Sequence, residues 1–385
     1  MALTTIFGRR LPAWPFTAAI TALGLLALAL LAAGGPATAQ SGSSVRPPSS
    51  AVSSGQPGAG VGAEALRSGN YDIEMWKKLR QSMQGTVSIP DKKSGLLIQA
   101  DGEEWRNLRT GLLPQYGAYA LGATLVALAL FFFLRGRIRV EHGLSGRTIT
   151  RFGDLERTGH WLLAISFIAL ALTGLNVLYG RALVMPLIGK ETFAALSGWA
   201  KLVHNYVAFA FMAGLVLTFL MWLRHNFPNR HDVVWLIKLG GLLSRHSHPP
   251  ARKFNAGQKI LFWLVMLGGV VLSVTGIALM FPFETNVVAK SMALLAAAGL
   301  PVPTELTPLQ EMQLAATWHG IAALVLACII LGHIYIGTIG MQGAFAAMGS
   351  GEVDLNWAKE HHGLWVEEEL AREREAPRAR IQAAE

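Results

Sequence analysis

Four histidines fall inside long apolar stretches of this 385-residue chain: His160, His204, His319 and His333. An imidazole in hydrocarbon is costly unless it has a partner, so each of the four marks a functional position. His319 and His333 lie fourteen residues apart. At 100° per residue they project from one helix face to within about 40°, and at 1.5 Å per residue they are separated by roughly 21 Å. That separation is too great for one metal ion and suits two cofactors stacked at two depths. Neutral imidazole is a good axial ligand for haem iron, and helix bundles build such sites from facing helices. No Cys-x-x-Cys-His occurs, so a haem would be held non-covalently. The single cysteine, Cys328, excludes an internal disulfide, a thiolate-ligated iron–sulfur cluster and a structural zinc site built from this chain alone.

The elements that must position these histidines are transmembrane helices. Hydrophobic residues make up 52% of the chain and charged residues only 15%, with a mean hydropathy of +0.39. Such a composition excludes a disordered chain and leaves too little polar surface for a water-facing globule. Five apolar runs, near 112–134, 158–178, 199–223, 258–282 and 313–340, are each long enough to cross about 30 Å of hydrocarbon. The net charge of +9 is read as topology rather than as nucleic-acid binding. Arg135, Arg137, Arg139, Arg147, Arg151 and Arg157 lie between the first two runs, and Arg224, Arg230, Lys238, Arg245, Arg252, Lys253 and Lys259 between the third and fourth. The remaining loops carry only Arg181 with Lys190, and Lys290. The basic loops mark the cytoplasmic side, which places the segment before the first run outside and the 350–385 tail inside.

The N-terminus has its own pattern. Arg9 and Arg10, an apolar stretch from Phe16 to Ala33, and Ala37-Thr38-Ala39 form a signal peptide over residues 1–39, cleaved or retained as an anchor. Residues 40–111 follow as an external segment. Its first part is a Ser/Gly/Pro/Ala linker, and 85–90 and 95–99 read as two short strands joined by Asp91-Lys92-Lys93-Ser94. Such a segment has little core of its own and suits packing on a partner.

Topology pairs the histidines. His160 opens its run on the inner side and His333 lies near the inner end of the last run, while His204 and His319 lie towards the outer side. The expected fold is therefore an all-α membrane protein. It has a four-helix transmembrane diheme cytochrome b bundle over 135–349, one extra N-terminal transmembrane helix at 112–134, and the small external segment. Gly174, fourteen residues after His160, and Gly320 and Gly332, beside the last two histidines, fit close approach to a cofactor and equally fit ordinary helix packing through small residues. A histidine alone in a membrane is usually a hydrogen bond between helices. Four matched in depth and face are not accounted for that way. A haem-free transporter or membrane anchor is the competing class, and spans otherwise lacking acids and bases count against it.

At these residues the chain resembles the gamma subunit of membrane-bound formate dehydrogenase, the cytochrome b556 subunit of the formate dehydrogenase-N type. The resemblance is carried by Arg157-Thr-Gly-His-Trp161, Leu172-Thr-Gly-Leu175, Leu202-Val-His204, Arg224-His-Asn-Phe-Pro228 and His231-Asp-Val-Val-Trp235. It continues through Lys253-Phe-Asn-Ala-Gly-Gln-Lys259, His319, Gly332-His-Ile-Tyr335 and Trp357-Ala-Lys-Glu-His-His-Gly-Leu-Trp365. These motifs span about 150–366 in order; the external segment and the 112–134 span lie outside them. The resemblance implies an electron-transfer subunit of the enzyme, with no dehydrogenase active site in this chain. It implies two b haems on His160, His204, His319 and His333, an iron–sulfur partner subunit, and a molybdenum or tungsten catalytic partner. It also implies a quinone site at Asn255, Ala256, Gly257 and Gln258 beside the inner haem. Asn255 equally suits an N-cap for the fourth run. A cytochrome b subunit of a nickel–iron hydrogenase or thiosulfate reductase shares the same logic and differs in its loop motifs.

Overall fold

The computed structural model describes residues 85–86, 96–98, 102–242 and 246–382; the expected signal peptide at 1–39 lies outside them. Among the described residues, five helices are long and apolar enough to cross a membrane: α1 (Glu104–Arg135), α2 (Asp154–Leu183), a third spanning Lys190–His225, α5 (Ala256–Met280) and a fifth spanning Pro308–Gly340. The α-helical part of the third is α3 (Lys190–Trp222), and that of the fifth is α7 (Pro308–Tyr335), whose last turn widens to a π-turn at Ile336–Gly340. The short helices α4 (Arg230–Ile237) and α6 (Val287–Ala297) lie in the loops, and α8 (Leu355–Gln382) forms the tail. All five apolar runs are thus helices, and all but α5 are longer than the hydrophobic stretch that identified them. Large apolar side chains stay exposed along them, among them Val126, Phe133, Leu172, Val177, Leu220 and Leu267. Acyl chains would cover these side chains in a bilayer.

The bundle is two helix pairs. Helix α2 packs along α3, and α5 along α7; α3 joins the pairs through α5, and α1 lies against α7. Small residues bring the axes close. A Cβ at Gly214 of α3 would stand 2.8 Å from the Leu163 backbone nitrogen of α2, and one at Gly268 of α5 would stand 2.8 Å from Leu326 of α7. Dispersion contact between close backbones holds helices together where the solvent is as apolar as they are.

Helix starts carry their own caps. Thr307 accepts from the Gln310 N–H at α7, with Pro308 in the first turn, and Asn229 caps α4 with Asp232. Helix α6 is absent from the sequence reading. Its eleven residues are too few to span and lie in a sparsely charged loop, so neither length nor flanks marks it. It is pinned by the Val288 N–H donating to the buried Glu311 carboxylate of α7 at 3.1 Å.

Ahead of α1, β1 (Gly85–Thr86) and β2 (Leu96–Ile98) pair antiparallel, where two strands were read. A second antiparallel pair, β3 (Thr148–Thr150) with β4 (Glu352–Asp354), ties the segment before α2 to the tail at the arginine-rich end of the bundle.

The main hydrophobic cluster sits at that end, where Phe152, Trp222, Phe254 and Phe262 pack against Trp357, Trp365 and Val366 of the tail helix. Arg151 is buried in it. Its guanidinium stacks within 5.1–5.5 Å of the Phe152, Trp357 and Trp365 rings and donates to the Lys253 carbonyl at 2.7 Å. Burial pulls its pKa down to about 9. Arg157, also buried, donates to the Met348 and Gly349 carbonyls and to Asp154. The positive charge that was read as a topology signal is thus also used to hold loops over the bundle end. Nearby, Glu141 accepts from His246 and His248 at 2.5 and 2.6 Å, and these two bonds, His248 first, pull its carboxyl to about 2.

The tail histidines give this cap a pH response. Burial holds His361 at about 4 and His362 well below the ordinary imidazole value, and His362 donates from Nδ1 to the Arg252 carbonyl at 2.8 Å. Folding keeps both neutral while the unfolded segment takes protons near pH 6.5. Their contribution to tail docking is therefore full above about pH 6.5 and is lost as pH falls through about 4. Hydrogen–deuterium exchange, corrected for intrinsic rates, should show constant protection of 355–366 from pH 8 to 7 and falling protection from pH 6.5 to 4.

Candidate functional site

The four intramembrane histidines meet as two pairs. The ring centroids of His160 on α2 and His333 on α7 are 6.2 Å apart, and those of His204 on α3 and His319 on α7 are 6.1 Å apart. These are the pairs that depth alone assigned. The spacing also tests what could lie between them. Two metal–nitrogen bonds of about 2 Å, added to two ring radii of about 1.1 Å, place collinear axial imidazoles roughly 6.2 Å apart. Both pairs fit one iron each. Among the described residues there is no cluster of three or more His, Cys, Asp or Glu side chains that could hold a metal ion, and a histidine imidazole is among the axial ligands that proteins give to haem iron.

The surroundings differ between the pairs. At the end away from the arginines, the His204 Nδ1 lies 2.8 Å from the Thr173 hydroxyl of α2, and the His319 Nδ1 lies 3.0 Å from the Thr275 hydroxyl of α5. Each threonine is followed by a glycine. A Cβ at Gly174 would stand 3.5 Å from His204 Cε1, and one at Gly276 would stand 3.4 Å from His319 Cε1. Each helix pair thus supplies one ligand from its second helix, and one hydroxyl and one gap from its first. Sequence reasoning missed Thr173 and Thr275 as site residues. The signal was a Thr-Gly dipeptide recurring in α2 and α5, of which only the first was noted, as a family motif.

At the arginine-rich end, His160 lies beside Trp161 and Trp222, with centroids at 5.4 and 6.3 Å, and its buried Nδ1 finds no hydrogen-bond partner among the described residues. Trp161 is steadied by its indole N–H donating to the Met348 carbonyl at 2.9 Å. Of the other small residues, Gly332 has open space where a side chain would stand, next to His333, whereas Gly320 is packed against Leu113 of α1. Gly332 therefore suits the cofactor reading and Gly320 the helix-packing one.

Residues 151–351 match the prokaryotic cytochrome b561 family. The chain belongs to that family. This cytochrome b is also similar to two formate dehydrogenase cytochrome b556 subunits of Escherichia coli strain K12. The nitrate-inducible one is 27% identical over 226 residues, covering 58% of this chain and 93% of the relative. The other is 28% identical over 222 residues, covering 57% and 93%. A formate dehydrogenase cytochrome b556 subunit of Haemophilus influenzae is 28% identical over 226 residues, covering 58% and 84%. Membership implies haem b, and the two histidine pairs fit its axial ligation.

The loop residues read as a quinone site form the start of α5. The Asn255 side chain accepts from the Gln258 N–H at 2.9 Å, and the Gln258 side chain accepts from the Asn255 N–H at 3.1 Å. This reciprocal pair is a capping box. Ala256 is buried. The room left by Gly257 is taken by the Trp235 indole of α4, since a Cβ there would lie 2.8 Å from the ring. A ligand at this corner would meet the Asn255 and Gln258 side chains and an aromatic face. A separate cavity of about 500 Å³ at the same end is lined by Arg135, Arg137, Glu141, His248 and His361, among others, and by none of residues 255–258. Because the cap is formed, Asn255→Ala should lower the protein's stability by about 1 kcal/mol, and Asn255→Ser, which keeps a capping oxygen, should recover most of it. Chemical denaturation in detergent, followed by tryptophan fluorescence, measures both.

Proposed function

We propose that this chain is the membrane cytochrome b subunit of a formate dehydrogenase. It would carry electrons from an iron–sulfur partner subunit, itself served by a molybdenum or tungsten catalytic subunit, to a quinone. The observation that carries the reading is the pair of bis-histidine arrangements at two depths of one bundle. The relatives named above supply the choice of dehydrogenase. No dehydrogenase site is assigned to this chain; it is the electron-transfer part of the enzyme.

In this reading His204 and His319 hold one b haem and His160 and His333 a second, and the haems supply reversible one-electron storage when bound. The protein's own residues do the rest. The apolar helices keep water and ions from the path. The Thr173 and Thr275 hydroxyls orient the outer ligands. The basic loops fix the arginine-rich end on the cytoplasmic side of a bacterial inner membrane, with the segment before α1 outside. Partner subunits dock on the external side, against the 71–111 segment and the ends of the helices near His204 and His319. Asn255, Ala256, Gly257 and Gln258 form the quinone site at the cytoplasmic end. The Asn255 amide donates and accepts, which suits a quinone oxygen that gains a proton on reduction. Negative charge moving inward and protons taken from the cytoplasm both build membrane potential, worth about 2.3 kcal/mol per charge at 100 mV.

Haem extraction from the purified protein should give two b haems per chain, with a reduced-minus-oxidised spectrum of low-spin type. A ratio near one would sink the two-haem arrangement, and no haem signal would sink the cytochrome reading altogether.

The quinone assignment is tested with Asn255→Ser, which spares the cap. Formate-driven haem reduction should be unchanged in membranes carrying it, while formate-to-quinone turnover falls by at least severalfold. Wild-type quinone turnover would remove Asn255 from the site.

A further inference from the structure

The two hydroxyls beside the outer histidines can act on more than orientation. Thr173 Oγ1 lies 2.8 Å from the Ala169 carbonyl and 3.1 Å from the Leu170 carbonyl of its own helix. Thr275 Oγ1 lies 2.6 Å from the Val271 carbonyl and 3.3 Å from the Leu272 carbonyl. A hydroxyl has one proton, and in both residues it is committed to a backbone acceptor. What each threonine has left for the imidazole is a lone pair. The Nδ1 of His204 and of His319 therefore carries the hydrogen and donates it, to the threonine lone pair and to the Leu170 or Leu272 carbonyl that also faces the ring. The tautomer is fixed at both residues, with the bare Nε2 left for a metal. Rotation of the ring away from this position would forfeit the bond, and the missing side chains of Gly174 and Gly276 leave the ring's Cε1 edge uncrowded.

An acceptor on Nδ1–H also makes an imidazole a stronger donor to the metal. Stronger donation favours the oxidised, more positive iron and so lowers its reduction potential. At the other depth His160 Nδ1 has no such acceptor among the described residues. The geometry points to Thr173 and Thr275 as paired positioning residues that hold the outer haem's potential below the inner one's, so that transfer from the outer to the inner site runs downhill. This rests on the two-haem reading above and adds to it the source of the potential difference.

The test is a potentiometric titration of the purified complex, followed in the α-band, with ferric electron paramagnetic resonance on the same samples. Thr173→Val and Thr275→Val keep the side-chain shape and remove the lone pair. Each should move the lower-potential component upward and leave the higher one in place, and each should alter the low-spin signal of that same component. Thr173→Ser and Thr275→Ser restore the hydroxyl and should return both readouts to wild type. Should a valine variant lose one haem, retention in the serine variant at the wild-type potential supports the hydroxyl's role. Loss in both variants makes packing the cause and overturns it. Unchanged potentials in both valine variants, or a downward shift, also overturn it. A wild-type preparation with one haem or none would instead remove the two-haem reading on which the inference stands.

Discussion

The structure depends on the cost of placing an imidazole in hydrocarbon. Each of the four intramembrane histidines must be desolvated, and each needs a polar contact or a metal to offset that cost. The bundle answers by bringing them together in twos, at two depths, from three helices. Helix α7 is the shared element: it carries one member of each pair on a single face, and its long uninterrupted run keeps the two sites in register. The close contacts at Gly214 and Gly268 lie within the α2–α3 and α5–α7 pairs, and so fix each pair as a unit that presents its histidines to the other.

The arginine-rich end shows how charge can serve two purposes. The arginines read as marking membrane orientation are not all left in water. Arg151 and Arg157 are buried and bonded to backbone carbonyls, and with the tail helix and the β3–β4 pair they close the bundle over the His160 and His333 level. Unsatisfied carbonyls at helix ends and loops are expensive next to apolar surface, and a guanidinium with five donors is an efficient way to satisfy several at once. The rigid cap also confines Trp161, whose indole is fixed to the same loop and touches His160.

Much of the site could be read from the residues alone. The four histidines are conspicuous because the middles of those spans carry almost nothing else ionisable, Lys201 and Lys259 lying at span ends, and the alternation of basic loops orders them by depth, so the pairing required no coordinates. The five apolar helices were legible for the same reason. Thr173 and Thr275 were not. A threonine in an apolar helix ordinarily turns its hydroxyl back to a carbonyl four residues earlier, and both do so; only the approach of a second helix reveals the lone pair facing a ring. The buried Arg151 was read as a topology signal because two of its three aromatic neighbours, Trp357 and Trp365, come from more than two hundred positions away in sequence. Helix α6 was passed over because short apolar segments carry no period strong enough to separate them from loop. The capping box at Asn255 was weighed as a possibility from its residue types, and that geometry is present.

The division of the outer site between two helix pairs bears on how the bundle is held together. The α2–α3 hairpin holds Thr173, Gly174 and His204, and the α5–α7 unit holds Thr275, Gly276 and His319, so each unit contains half of one coordination sphere with its own orienting group. Neither half can saturate an iron axially on both sides. In a bilayer the two units would meet through the α3–α5 contact, and a haem b held between His204 and His319 would add a second tie across the bundle.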